Sequence, residues 1–121
     1  MDVIKKGSIP SAQAVGQATT EAQLSDLESK ARDKLYNVHE AKAILENPFF
    51  NAVWDQLEEE ILEQWGSTTI DQVEIRERAH VAMGMFKALR ERLEEFTSGE
   101  IAATEAVERI LRKRKLMSEK H

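Results

Sequence analysis

One series of apolar residues constrains this chain more than any other feature. Ile75, Ala79, Ala82, Phe86, Leu89, Leu93 and Phe96 are spaced by four, three, four, three, four and three. An α-helix turns once every 3.6 residues, so this alternation holds all seven side chains on one stripe. A strand, with a period of two, would scatter them over both faces. The series lasts about three heptads, the pattern of coiled-coil-like packing. Such a helix is stable in water only when its stripe is covered.

The preceding segment supplies a cover. Asn47-Pro48 predicts a helix start, because asparagine caps well and proline at the first helical position loses an N–H that would be unpaired anyway. Phe50, Trp54, Leu57 and Ile61 then recur at helical spacing, with Val53 and Trp65 widening the stripe. Gly66 is placed to end this helix in a left-handed conformation. The connection from Gly66 to Ile70 is short, and Thr68 with Asp71, or Thr69 with Gln72, can cap the next helix. A short link makes neighbouring helices antiparallel, so the expectation is a helical hairpin over 48–98, closed by Ser98-Gly99. Val81, Met85 and Ala88 add apolar surface on another side of the second hairpin helix. That surface calls for flanking helices, another subunit, or both.

Two further helices flank the hairpin. Thr20 with Gln23 forms a capping box, followed from Glu21 by Leu24, Leu27, Ala31, Leu35 and Val38. A weaker helix is expected over 101–116, with Ala103, Val107, Ile110 and Leu111 as its apolar side. Residues 1–19 are rich in Ser, Gln, Ala, Thr and Gly without hydrophobic periodicity. They read as a flexible arm that orders only on a partner. The organisation expected is thus an arm at 1–19, a helical domain at 20–99, and a C-terminal helix with a basic tail at 100–121. The fold class is all-α: an antiparallel hairpin with flanking N- and C-terminal helices, in an oligomer.

Composition narrows the function classes. With 41% hydrophobic and 32% charged residues, the chain is too charged for a membrane protein and too apolar for full disorder. No apolar run approaches the roughly 20 residues that span a bilayer. Lys5 and Lys6 lack the continuous apolar core that follows them in a signal peptide. No cysteine is present, which removes disulfide and thiolate chemistry. The net charge of −5 is unevenly spread. Residues 48–66 carry Asp55, Glu58, Glu59, Glu60 and Glu63 with no basic residue, whereas Arg109, Arg112, Lys113, Arg114 and Lys115 cluster near the C-terminus.

Several motifs carry chemistry in other proteins. Glu77 and His80, three residues apart, share one helix face, the spacing of a ferritin-like di-iron ligand pair. A facing carboxylate from Glu58, Glu59 or Glu60 would have to complete the site. Both residues lie off the heptad seam, however, and a solvated helix face is the commoner meaning of such a pair. The acidic cluster reads as a solvated face too, and it has no EF-hand spacing. The basic cluster fits DNA phosphates, an acidic groove on a partner protein, or an inert tail that complements the helix macrodipole. No helix-turn-helix pattern or aromatic-interleaved basic sheet accompanies it, which argues against base-specific reading. Trp54, Trp65, Phe49 and Phe50 read as core rather than a ligand box. His39, His80 and His121 sit in no catalytic signature, and there is no glycine-rich phosphate loop. The expectation is a non-enzymatic protein without a cofactor.

The stretch from Ala43 to Ala106 carries Ile44-Leu45-Glu46-Asn47-Pro48-Phe49-Phe50-Asn51, Leu57-Glu58-Glu59-Glu60 and Glu63-Gln64-Trp65. After the turn follow Arg76-Glu77-Arg78, Leu89-Arg90, Leu93-Glu94 and Ser98-Gly99. This pattern resembles small, mostly uncharacterised helical-hairpin proteins of tailed phages. It departs from theirs near the start of the second hairpin helix, where Ala79-His80-Val81 replaces a tryptophan. The resemblance covers about half the chain and transfers no catalytic residue. It implies a phage origin and a gene cluster for heads and DNA packaging.

These readings converge on an oligomer that assists DNA packaging or head assembly, like a small terminase subunit in general design. Phe50, Trp54, Leu57, Ile61, Phe86, Leu89 and Leu93 are the expected core and subunit interface. Arg109, Arg112, Lys113, Arg114 and Lys115 are expected to meet DNA or a partner. Other phage assembly proteins are the expected partners, no membrane is involved, and the setting is the host cytoplasm or the virion. A virion structural or adaptor protein and a ferritin-like metal protein using Glu77 and His80 are the alternatives.

Overall fold

The computed structural model describes residues 3–119. The ends of the expected arm and tail, with His121, lie outside them. The described chain is all-α, and no strand occurs among the described residues: α1 (Ala12–Gln17), α2 (Glu21–Leu45), α3 (Pro48–Gly66), α4 (Val73–Thr97) and α5 (Glu100–Glu119). It divides into two compact units. One takes the chain up to Glu40 and again from Thr97; the other is Ala41–Phe96, so the boundary falls inside α2.

The helix boundaries follow from local chemistry. Thr20 and Gln23 form a reciprocal capping box, Gln23 N–H donating to Thr20 Oγ1 and Thr20 N–H to Gln23 Oε1, both at 3.1 Å. Asn47 accepts from Phe50 N–H at 2.9 Å, with Pro48 at the helix start. Asn51 donates to the Leu45 carbonyl at 2.8 Å, which satisfies an orphan acceptor at the end of α2. Gly66 does not take the expected left-handed conformation. It closes α3 as a helical residue, and Ser67 follows at φ −85°. Ser67 and Thr68 hydroxyls bond back to the Gln64 and Trp65 carbonyls, so side chains do the capping that glycine was expected to do. The left-handed residue is Gly99, at φ 81°, between α4 and α5.

In the first unit the core is a seam between α2 and α5. Leu24, Ala31 and Val38, seven residues apart on α2, are fully buried. On α5, Ala103, Ala106 and Ile110 are fully buried too, with Val107 beside them, and Ala31, Ala106 and Val107 cluster with Leu35. Val15 and Ala18 close the seam near Leu24 and Ile110, with Leu27 and Met117 packed on them. The helix expected to be the weaker of the two is therefore buried as deeply as α2 along this seam. Ala106 takes the core place expected for Leu111, which is exposed.

The segment before α2 is not a free arm. Asn37 is buried and forms two bonds with one residue, accepting from Lys5 N–H at 3.1 Å and donating to the Lys5 carbonyl at 2.8 Å. Ser8 N–H donates to the Lys30 carbonyl at 3.2 Å. Between these ties, Gly7 lies so close to the backbone of Asp33 and Lys34 that a β-carbon would overlap it. The chain thus runs along α2 held by backbone bonds and one missing side chain. Neither leaves an apolar period in the sequence.

Candidate interaction surfaces

In the second unit, Trp54 of α3 stacks on Phe86 of α4 with ring centroids 3.7 Å apart, and Phe50 leans on Trp54 at 5.6 Å. The Arg90 guanidinium lies 5.5 Å from the Trp54 ring centre, and Arg76 lies 4.8 Å from that of Trp65. Arg90 also donates to Asn51 at 3.4 Å. These contacts set which face of α4 turns inward. Arg76, Ala79, Met83, Phe86, Arg90, Leu93, Phe96 and Thr97 are the buried or half-buried positions, whereas Ile75, Ala82 and Leu89 are exposed. Three residues of the expected seam, Ile75, Ala82 and Leu89, have given up the inward place to the residue that follows them, while Ala79, Phe86, Leu93 and Phe96 keep theirs. Two arginines that cover indole faces occupy places the pattern assigned to aliphatics.

A broad apolar surface is left over. Among the described residues of this unit only Ala41, Trp54 and Ala79 are buried. Phe49 is 78% exposed, Met85 70%, Leu89 55% and Leu57 43%. Of the expected core or interface residues, Phe50, Trp54, Ile61, Phe86 and Leu93 lie inward and Leu57 and Leu89 lie outward.

The basic cluster has been drawn largely into the first unit. Lys113 Nζ donates to the Val15 carbonyl at 3.1 Å and to that of Gly16, holding the end of α1 against α5. Arg114 bridges Glu21 and Glu28, one heptad apart on α2, at 2.8 Å each. Hydrogen bonds from Arg114 and then Arg32 hold the Glu28 carboxyl below the ordinary glutamate range, and hydrogen bonds to Glu28 and then Glu21 raise Arg114. Arg109 sits 3.8 Å from Glu105. Arg112 and Lys115 are exposed without an ion pair among the described residues. They remain available to a partner.

Glu77 and His80 are exposed beside a shallow cleft of about 360 Å³ lined also by Trp65, Ile70, Val73 and Arg76. No third carboxylate, histidine or cysteine joins them in a metal-binding group among the described residues, so one chain does not assemble the ferritin-like ligand set. Asp55, Glu58, Glu59 and Glu63 flank Leu62 along an open groove of about 480 Å³. No helix among the described residues is long and apolar enough to cross a membrane.

Sequence reasoning missed Asn37, Arg76 and Arg90. The two arginines had a weak signal, since each falls where its helix must face a tryptophan. Asn37 had none. Comparison with protein-family models, curated proteins and solved structures gives no match. Fold and surface define a class only: an all-α chain with exposed apolar side chains along α3 and α4.

Proposed function

We propose that this chain is a non-enzymatic, self-assembling phage protein that assists DNA packaging or head assembly, in the manner of a small terminase subunit. In this reading α3 and α4 form a helical hairpin that carries subunit contacts, and its action is positioning. The observation that carries it is the apolar surface of α3 and α4, which a lone chain leaves in water. The phage setting, in the host cytoplasm or the virion, rests on the resemblance of residues 43–106 to tailed-phage proteins.

A second reading, a virion structural or adaptor protein that docks on other assembly proteins, is favoured by the state of the basic cluster. Lys113 and Arg114 hold the fold, which leaves Arg112 and Lys115 as a small electrostatic footprint for DNA. Each phosphate that loses its cationic partner lowers the salt slope of DNA binding by about one. Titration of duplex DNA into the full chain at low salt separates the readings. The packaging reading expects salt-dependent binding that weakens in Arg112→Ala/Lys115→Ala. Absence of binding at low salt contradicts it and leaves the adaptor reading.

A further inference from the structure

We propose that one face of the α3–α4 hairpin docks on the same face of a second copy of this chain, about a two-fold axis parallel to the helices, so that Glu60 of each copy meets Arg78 of the other. The proposal deepens the self-assembly reading and rests on it.

The face follows from the register. Trp54 against Phe86 and Trp65 against Arg76 run α3 and α4 antiparallel. On α3, Phe49, Val53 and Glu60 each precede an inward residue: Phe50, Trp54 and Ile61. On α4, Ile75, Arg78, Ala82, Met85 and Leu89 likewise precede Arg76, Ala79, Met83, Phe86 and Arg90. One step back along a right-handed helix turns a side chain by about 100°. In two antiparallel helices that face each other, the same backward step leads to the same side of the pair. Both exposed stripes therefore share one face, and the acidic groove at Asp55, Glu59 and Glu63 lies away from it.

Two observations select a second copy as the occupant. The first is area. Phe49, Val53, Leu57, Ile75, Met85 and Leu89 are 37–78% exposed. Together they present on the order of 600–700 Å², close to the ~800 Å² each partner contributes to a standard interface. The second is charge. Glu60 and Arg78 are both exposed and make no ion pair among the described residues. They stand on opposite rims of the face, and the Trp54–Phe86 and Trp65–Arg76 contacts place Glu60 level with a point about two residues from Arg78, roughly 3 Å along the axis. Turning a second copy over about an axis parallel to the helices swaps the rims and keeps the levels. Each Glu60 then faces an Arg78, twice per pair, while Leu57 and Val53 lie over Ala82, Met85 and Leu89. Every helix gains an antiparallel neighbour, the arrangement of an up-down four-helix bundle. A foreign partner has no reason to match this internal symmetry of charge.

Sedimentation velocity of the full chain tests the proposal with Met85→Glu, Glu60→Arg, Arg78→Glu and the double charge swap. All the substituted positions are exposed, and far-ultraviolet circular dichroism with thermal melts checks that the monomer fold persists. The wild type is expected to form a dimer or another even-numbered assembly. Met85→Glu should abolish the two-fold contact. Each single charge reversal should weaken it about tenfold, and the double swap should restore it to within about threefold. A wild type that stays monomeric overturns self-assembly and this interface together. An assembly unchanged by Met85→Glu, or single reversals without rescue by the swap, overturns this interface and leaves self-assembly standing.

Discussion

The two units are built from helices of similar length and similar amphipathic spacing, yet they dispose of their apolar stripes in opposite ways. The unit holding most of α2 and all of α5 buries the centre of its stripes. Leu24, Val38 and Ile110 have no exposure, and alanines at 31, 103 and 106 lie just as deep in the seam. The unit holding α3 and α4 has larger and more aromatic side chains but buries one of them, Trp54. The difference lies in what closes each seam. In the first unit, the segment before α2 folds back over it and Lys113 and Arg114 pin α5 in place. In the second, α3 and α4 leave Phe49, Val53, Ile75, Met85 and Leu89, each one step off the seam, in water. A strong heptad pattern thus marks a helix that needs a partner, without saying whether that partner belongs to the same chain.

Removing core volume sharpens this contrast most. Ile110→Ala should cost about 2–5 kcal/mol in urea unfolding, because a fully buried branched side chain leaves a cavity. Met85→Ala, at 70% exposure, should change monomer stability by no more than about 0.5 kcal/mol. Equal losses would erase the distinction between the units. Next in size is Gly7→Ala. Its β-carbon would overlap the Asp33–Lys34 backbone, so about 1–3 kcal/mol should be lost as the N-terminal segment lifts from α2. Limited proteolysis should then cut before α1, whereas a resistant variant would mean the segment contributes little.

The smallest effect concerns the Arg114 bridge. Glu28 is held below its ordinary range, chiefly by Arg114, so the folded state binds a proton less readily than the unfolded chain. The stabilisation is therefore fully present above the unfolded glutamate value, roughly 4.3, and disappears as pH falls through the lower folded value. Arg114→Ala should cost about 1 kcal/mol at neutral pH, and less below pH ~4. Thermal melts across this range check it, and a loss independent of pH would assign the role of Arg114 to packing alone.

Much of the helical skeleton is legible in the sequence because it is written in local chemistry. The Thr20/Gln23 box, the Asn47-Pro48 start and the stripe from Leu24 to Val38 all act within a few residues. Tertiary choices are less legible. Whether Gly66 or Gly99 is left-handed depends on whether neighbouring hydroxyls can cap the helix, as Ser67 and Thr68 do. The register of α4 departs from the heptad at Ile75 and Leu89, where Arg76 and Arg90 turn inward to lie against indole faces. The fixed N-terminal segment leaves no trace in the hydrophobic pattern, since Asn37 and Gly7 act through backbone proximity. In the basic cluster, sequence locates the charges, but only the fold reveals that Lys113 and Arg114 are engaged within the chain.

Hydrogen exchange on the full chain, dilute and concentrated, separates a unit complete in itself from one that, as proposed, a second copy completes. Partner binding adds protection by mass action only where the partner stabilises structure. Amides of α3 and α4 should slow markedly as concentration rises, while those of the α2–α5 seam, already protected when dilute, should change little. Protection of α3 and α4 that is independent of concentration, or a rise confined to α2 and α5, would overturn the proposed pairing.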